Sequence, residues 1–270
     1  MTDTPELRAS PHRFAIIGNG AISRELRRRA SEYPTLTCVG VLTRPGAAEP
    51  GDVAALTLTE ALERADTIVE AAGVSAVGEY GPAVVTAGRG FLVASVGAFA
   101  RPAVRERVLD AGPGRTLLTS GAIGGLDLIA AAGRTGGLDR LTLTTRKHPR
   151  SLVQGDTPAV ERERLLALTS AEELFAGTVT EAIEQFPASL NVAVALGLAA
   201  GSLDLVRVRL LADPEASLTE HAIDAVGQAG EYHFRVRNEP LPEHPSSSGL
   251  TVRSLLSELL ALADQGPRLA

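Results

Sequence analysis

The chain has 270 residues, of which 44% are hydrophobic, 21% charged and 3% aromatic, and its formal net charge is −6. That is a globular composition, long enough for one large domain or two smaller ones, and it argues against a nucleic-acid surface or a polybasic membrane patch. One cysteine, Cys38, rules out a disulfide scaffold and fits a reducing compartment. The opening stretch MTDTPELRASPH, with His12 in this tail, has no apolar segment of the signal-peptide kind. No run approaches membrane-spanning length, so the expected compartment is the cytoplasm, with no membrane and no nucleic acid as partner.

RFAII (13–17) reads as a short buried strand. The helix after it places Ile22, Leu26, Ala30 and Tyr33 on one face and Arg24, Arg27 and Arg28 on the other, until Pro34 breaks it. The cluster Arg27, Arg28, Arg29 reads as a solvated face. TLTCVGVLT (35–43) is a second strand, with Cys38 as a core thiol. TIVEAAG (67–73), FLVASVGA (91–98) and RTLLTSGA (115–122) repeat one form, a short apolar run followed by a small-residue loop, with helical patterns between them. Repeated βα units mean a parallel sheet with helices on both faces.

After about residue 135 the strands become longer and more alternating: LDRLTLTTRK (138–147), LVRVRLLA (205–212), EHAIDAVG (220–227) and EYHFRVR (231–237). Gln228-Ala229-Gly230 separates the last two by a hairpin-sized connection, which points to an antiparallel sheet. An apolar helix, NVAVALGLAAG (191–201), lies between these strands, and LTVRSLLSELLALA (250–263) closes the chain as an amphipathic helix. The expected fold class is α/β: a Rossmann-type parallel-sheet domain, then a second α/β domain with a mainly antiparallel sheet. The expected division is residues 1–120 and 121–245, with a C-terminal helix, 246–266, packed back on the first domain.

Gly18, Gly20 and Ser23 spell G-x-G-x-x-S between the first strand and its helix. Gly18 allows a tight turn, and Gly20 lets a pyrophosphate approach the backbone. The helix opening at Ala21 and Ile22 then points free N–H groups at that phosphate. Alone the motif is weak; opening a run of βα units, it reads as a dinucleotide site. An NAD-selective site carries an acid after the second strand, to bond the ribose 2′-hydroxyl. Here Thr43 and Arg44 occupy the place, and no acid comes before Glu49. Arg44 would pair with a 2′-phosphate, so NADP is favoured over NAD; the bland alternative is a solvated loop arginine.

Other loops expected at the carboxyl ends of the parallel strands are Ala72-Gly73, Ser95–Ala98 and the glycine-rich Ser120–Gly125. They suit either a nicotinamide lying against backbone or helix-entry turns. His233 shares a polar face with Glu231 and Arg235, and His148 ends a strand before Pro149. His221 lies with Ile223 and Ala225 on the apolar face of its strand, and periodicity alone favours a core histidine over a site residue. Lys147 extends the apolar face of Leu141, Leu143 and Thr145. It suits an anionic substrate, or it snorkels. Asn191 opens the apolar helix, as an N-cap or as a contact for a cofactor carboxamide. No cluster has metal-ligand spacing.

GNGAIS, SVGA, SGAIGGLD, LTLTTRK, LNVAVALGLA, VRVRLLADP and EHAI, in this order, resemble the L-aspartate dehydrogenase family from residue 13 to about 250. The resemblance implies an NAD(P)-dependent enzyme that oxidises L-aspartate to iminoaspartate, which hydrolyses to oxaloacetate and ammonia, or runs the reverse amination. It makes His221 the catalytic histidine, over the periodicity reading, and Ala122 and Asn191 cofactor contacts. It places Ser247 and Ser248 near cofactor or substrate. It also implies a homodimer and a product that feeds pyridine-nucleotide biosynthesis. Two departures stand out: SLTEHAI lacks the family's Arg-Asn pair, and Thr43-Arg44 replaces its acid.

Of the cations that could hold a substrate carboxylate, Arg146 and Lys147, alternation lets one reach the site, and Lys147 is the choice. His221, titrating near neutrality, would take a proton from the ammonium or from the attacking water. The alternatives are a reductase of another small imino or keto acid and a non-catalytic dinucleotide-sensing protein.

Overall fold

The computed structural model describes residues 10–44, 51–153, 157–186, 190–242 and 244–264. Glu49 and most of the N-terminal tail lie outside them. Strands β1 (His12–Ile17), β2 (Leu36–Leu42), β3 (Thr67–Glu70), β4 (Gly90–Val93) and β5 (Thr116–Leu118) form a parallel sheet in the order β2-β1-β3-β4-β5. Helices α1 (Ala21–Ala30), α2 (Leu58–Arg64), α3 (Val74–Thr86) and α4 (Pro102–Val108) lie between them in sequence. The strands are continuous apolar runs because both faces are covered. Ala15 and Ile17 join one core with Ala61, Val77 and Val84, while Phe14 and Ile16 join another with Leu26 and Ala30. Strand order reverses between β1 and β3, and in such sheets the crevice at that point takes the ligand.

The second half runs α5 (Leu126–Arg134), β6 (Leu138–Lys147), α6 (Ala159–Leu166), β7 (Glu172–Thr178), α7 (Val179–Gln185), α8 (Asn191–Ala200), β8 (Val206–Ala212), β9 (Thr219–Gly227) and β10 (Gly230–Asn238). Its sheet has the order β10-β9-β6-β8-β7; β6 and β8 are parallel and every other pairing is antiparallel. Alternation divides it cleanly. Leu141, Leu143, Val208, Leu210, Ile223 and Ala225 face a core shared with Leu196 of α8 and Ile129 of α5. The opposite face carries ion pairs such as Arg209–Glu173 at 2.6 Å. A short hairpin, β11 (Pro240–Leu241) and β12 (His244–Ser248), leads into α9 (Gly249–Ala263).

Helix α9 buries Val252, Leu255, Leu256 and Leu259 against Phe14, Ile16, Leu26 and Val41. Each such leucine contributes roughly 1.5–3 kcal/mol of transfer free energy. The last element among the described residues thus closes the layer over the first strand. Among the described residues no helix is long and apolar enough to cross a membrane.

Three expectations are corrected. Helix α1 stops at Ala30, and Tyr33 lies beyond it, 38% exposed. Arg27 is not solvated: it is 5% exposed and bonds both oxygens of Asp52, with Asn19 Oδ1 and Ser23 Oγ as further acceptors. A helical wheel cannot show this, because the partner carboxylate comes from another segment. His12 belongs to β1, where its Nε2 lies 3.0 Å from Thr67 Oγ1. Strand β7 escaped the sequence reading because EELFAGT buries Phe175 alone.

Candidate active site

The glycine turn is built as its residue types require. Gly18 has φ +100°, and a Cβ there would lie 2.8 Å from the Ala71 carbonyl oxygen, so only glycine fits. Gly20 is a different case. It caps α1 with ordinary φ, and a Cβ on it would meet nothing within 4 Å. The protein itself does not need glycine there; an approaching ligand would. Helix α1 carries no acid in its first turn and no side-chain cap, which leaves its N–H groups for an anion. Ser23 is fully buried and hydrogen-bonded to Arg27, so the third motif position serves packing.

Loops from the carboxyl ends of all five parallel strands converge with the second sheet on one cavity of about 840 Å³, the size of a cofactor site. Gly20, Ala21 and Ile22 form one end and Arg44, exposed, its rim. Ala71–Ser75, Ala94–Val96 and Thr119–Ala122 form the floor. Gly73, at φ +114°, opens α3 in open space like that at Gly20. Gly18 lies beneath the turn rather than on the cavity wall. Asp52 is engaged with Arg27, so the carboxylate that follows β2 closest among the described residues is already paired.

Two polar braces hold the floor. Glu70, at the end of β3, is fully buried and accepts from Ala72 N, Gly73 N, Ser95 N and Ser95 Oγ at 2.7–2.9 Å. Burial pushes its carboxyl up, and those four donors oppose the shift. On the other side, Asn238 Nδ2 donates to the Ala122 carbonyl at 2.8 Å and Ser254 Oγ to the Gly121 carbonyl at 2.9 Å. The sequence reading missed Glu70, Asn238 and Ser254. A charge ending the buried run TIVE was the one available signal.

Asn191 is not the N-cap of α8; Leu190 is. Asn191 Oδ1 accepts from Gly97 N–H at 2.9 Å, which orients the amide and leaves Nδ2 as a donor on a residue that lines the cavity. These residues fit a dinucleotide: a glycine cradle, an uncapped helix start and an oriented amide at the far end.

The other wall belongs to the second sheet. Register pairs Thr145 with His221, and Lys147 follows on the same face of β6. Lys147 and His221 are each 3% exposed and line the cavity; His221 Nδ1 lies 3.0 Å from the fully buried Thr145 Oγ1. Burial lowers the Lys147 ammonium to about 8. Burial, and then the Lys147 charge, lower the His221 imidazole to about 3. The ring therefore does not titrate near neutrality but stays neutral there, a correction that follows from its depth. Arg146 points to the other face, where it pairs with Asp213 at 2.8 Å. Ser247, Ser248 and Thr251 complete the wall, and Ser248 Oγ caps α9 by accepting from Leu250 N–H. His233 is exposed and paired with Asp224, and His148 accepts from Arg150 N–H; neither lines the cavity.

A family model described as "Aspartate dehydrogenase, C-terminal" matches residues 127–262, and one described as "Homoserine dehydrogenase, NAD binding domain" matches residues 16–114. An L-aspartate dehydrogenase of Ruegeria pomeroyi is 38% identical over 257 residues, which covers 92% of this chain and 91% of that protein. One of Serratia proteamaculans is 35% identical over 265 residues, covering 94% and 98%. The crystal structure of aspartate dehydrogenase from Thermotoga maritima superposes with a TM-score of 0.77 at 28% identity, covering 96% of this chain and 99% of that one.

Proposed function

The chain belongs to the L-aspartate dehydrogenase family, and from that premise we propose that it interconverts L-aspartate with iminoaspartate, and so with oxaloacetate and ammonia. The observation that carries the reading is the pairing of buried Lys147 and His221 on the wall of the cavity into which the glycine cradle opens. A bound nicotinamide supplies the hydride acceptor for the substrate Cα hydrogen. The chain supplies position and charge. Gly20 with the start of α1 would hold the pyrophosphate on the turn that Gly18 shapes from beneath, and Gly73, Ala122 and Asn191 would hold the nicotinamide end. Lys147 binds one substrate carboxylate; its charge is worth more in a buried site than in water. Hydroxyls of Ser247, Ser248 and Thr251, which line the same cavity, would take the other. His221 meets the reacting centre as a neutral imidazole, to exchange a hydrogen bond or a proton there.

The preferred cofactor in this reading is NADP. Arg44 stands on the rim where a 2′-phosphate would lie, and Asp52 is held by Arg27. Residues 1–120 with the C-terminal helix, expected over 246–266 and here α9 (Gly249–Ala263), serve the cofactor in this reading, and residues 121–245 serve the chemistry and self-association. The working unit is a homodimer in the cytoplasm, consistent with the prevalence of two-fold oligomers. An imine of aspartate is a precursor suited to pyridine-nucleotide synthesis.

The test is cofactor oxidation with oxaloacetate plus ammonia, run with NADPH and with NADH, against a panel of other 2-oxo acids. Turnover greatest with oxaloacetate and NADPH is the expected result. Cofactor binding with faster turnover of another imino or keto acid would replace the substrate. Binding with no turnover at all would leave a dinucleotide sensor.

A further inference from the structure

Thr145 has no exposed surface, and its side chain meets His221 Nδ1 at 3.0 Å across the β6–β9 pairing. A buried hydroxyl has a proton to place, and leaving it without an acceptor is costly. Among the described residues the acceptor within reach is that ring nitrogen. A neutral imidazole has one lone-pair nitrogen and one N–H. If Nδ1 takes the Thr145 proton, the hydrogen of the ring is on Nε2. Among the described residues no buried side-chain nitrogen or oxygen is left without a partner, and Nε2 has no protein hydrogen bond, so it opens on the cavity that His221 lines.

We propose that Thr145 is a positioning residue that locks His221 in its Nε2–H form, so that the ring meets the substrate as a hydrogen-bond donor to oxygen rather than as a base. The inference rests on the aspartate reading of the cavity, and it narrows the role of His221 within it. The group the ring recognises is an oxygen acceptor: the keto oxygen of the 2-oxo diacid in amination, or a carboxylate of the amino acid. Nearby charge reinforces the assignment. The Lys147 cation, which lines the cavity with His221, opposes a second proton on the ring. The threonine hydroxyl then decides which nitrogen carries the single one.

The test is long-range 1H–15N NMR of histidine-labelled enzyme with NADPH bound, at neutral pH, for wild type, Thr145→Val and Thr145→Ser. The His221→Gln spectrum assigns the ring. The expected wild-type pattern is protonated Nε2 with unprotonated Nδ1, kept in Thr145→Ser. Thr145→Val loses that single pattern and about tenfold in kcat, the scale of one buried hydrogen bond, with the NADPH Kd within about twofold. Thr145→Ser recovers most of that turnover. A wild-type ring protonated on Nδ1 overturns the proposal, as does a Thr145→Val enzyme with unchanged ring pattern and turnover. If Thr145→Val does not fold, the wild-type spectrum alone decides. If no variant turns over oxaloacetate or aspartate, the substrate reading fails while the spectrum still reports the tautomer.

Discussion

The two walls of the cavity are built on opposite principles. The cofactor wall is a set of loop turns made from glycine, small side chains and backbone N–H groups, with its charged residues, Glu70 and Arg27, hidden beneath as braces. The substrate wall is a pair of strands whose buried face stops being apolar at its end, where Thr145, Lys147 and His221 replace leucine and valine. In the proposed function the first would bind a large ligand by shape and by N–H groups that cost little to keep open to water. The second keeps ionisable groups out of water, and both are pushed toward their neutral forms by it. A binding surface tolerates solvent; a reacting centre is made by excluding it.

Separating the walls by mutation is the sharpest way to break that contrast. His221→Ala should lower kcat by about 10²–10³-fold, the scale of one lost hydrogen-bond donor at the reacting oxygen, while the dinucleotide Kd, read by fluorescence titration, stays within about twofold. If both collapse together, the walls are not independent. Gly20→Val is the mirror case. Its side chain would enter open cavity, so the melting temperature should hold while dinucleotide affinity drops on the order of a hundredfold. Gly18→Ala should fail differently, in the fold itself, because its Cβ collides with the Ala71 carbonyl.

Lys147→Met sharpens the comparison through stability. Its folded pKa of about 8 lies below the ordinary 10.5. Between those values the unfolded chain binds more protons, so stability should rise with pH across that window. Removing the amine should flatten the rise and stabilise the free enzyme at pH 7 by up to about 3 kcal/mol in denaturant unfolding, while turnover is lost. For His221 the window is 6.5 down to about 3: the unfolded state takes up protons that the buried ring refuses, and stability falls as pH falls. His221→Gln should shrink that acid loss. The smallest expected effect is on the rim, where Arg44→Ala should reduce the NADPH/NADH ratio of kcat/KM by about tenfold, equal to about 1.4 kcal/mol.

What could be read from the residues follows the same divide. The cofactor wall was legible because its chemistry is local: a strand end at Ile17, two glycines and a helix start at Ala21 fall within five residues. Strand periodicity also put Lys147 and His221 on buried faces, but one chain cannot show that register sets Thr145 opposite His221, 76 residues away. Depth was illegible too, so a ring expected to titrate near neutrality lies far below it. Arg27 was misread for the same reason: its partner Asp52 approaches through tertiary structure. Long-range polar pairs, more than elements, were what the linear pattern could not express.

The most direct measurement is hydride tracing with L-aspartate deuterated at Cα and NADP⁺. The account predicts reduced cofactor carrying the deuterium, and a rate slowed relative to protiated aspartate when hydride transfer limits turnover. Reduced cofactor without deuterium, or no reduction by aspartate while the dinucleotide binds, would contradict it.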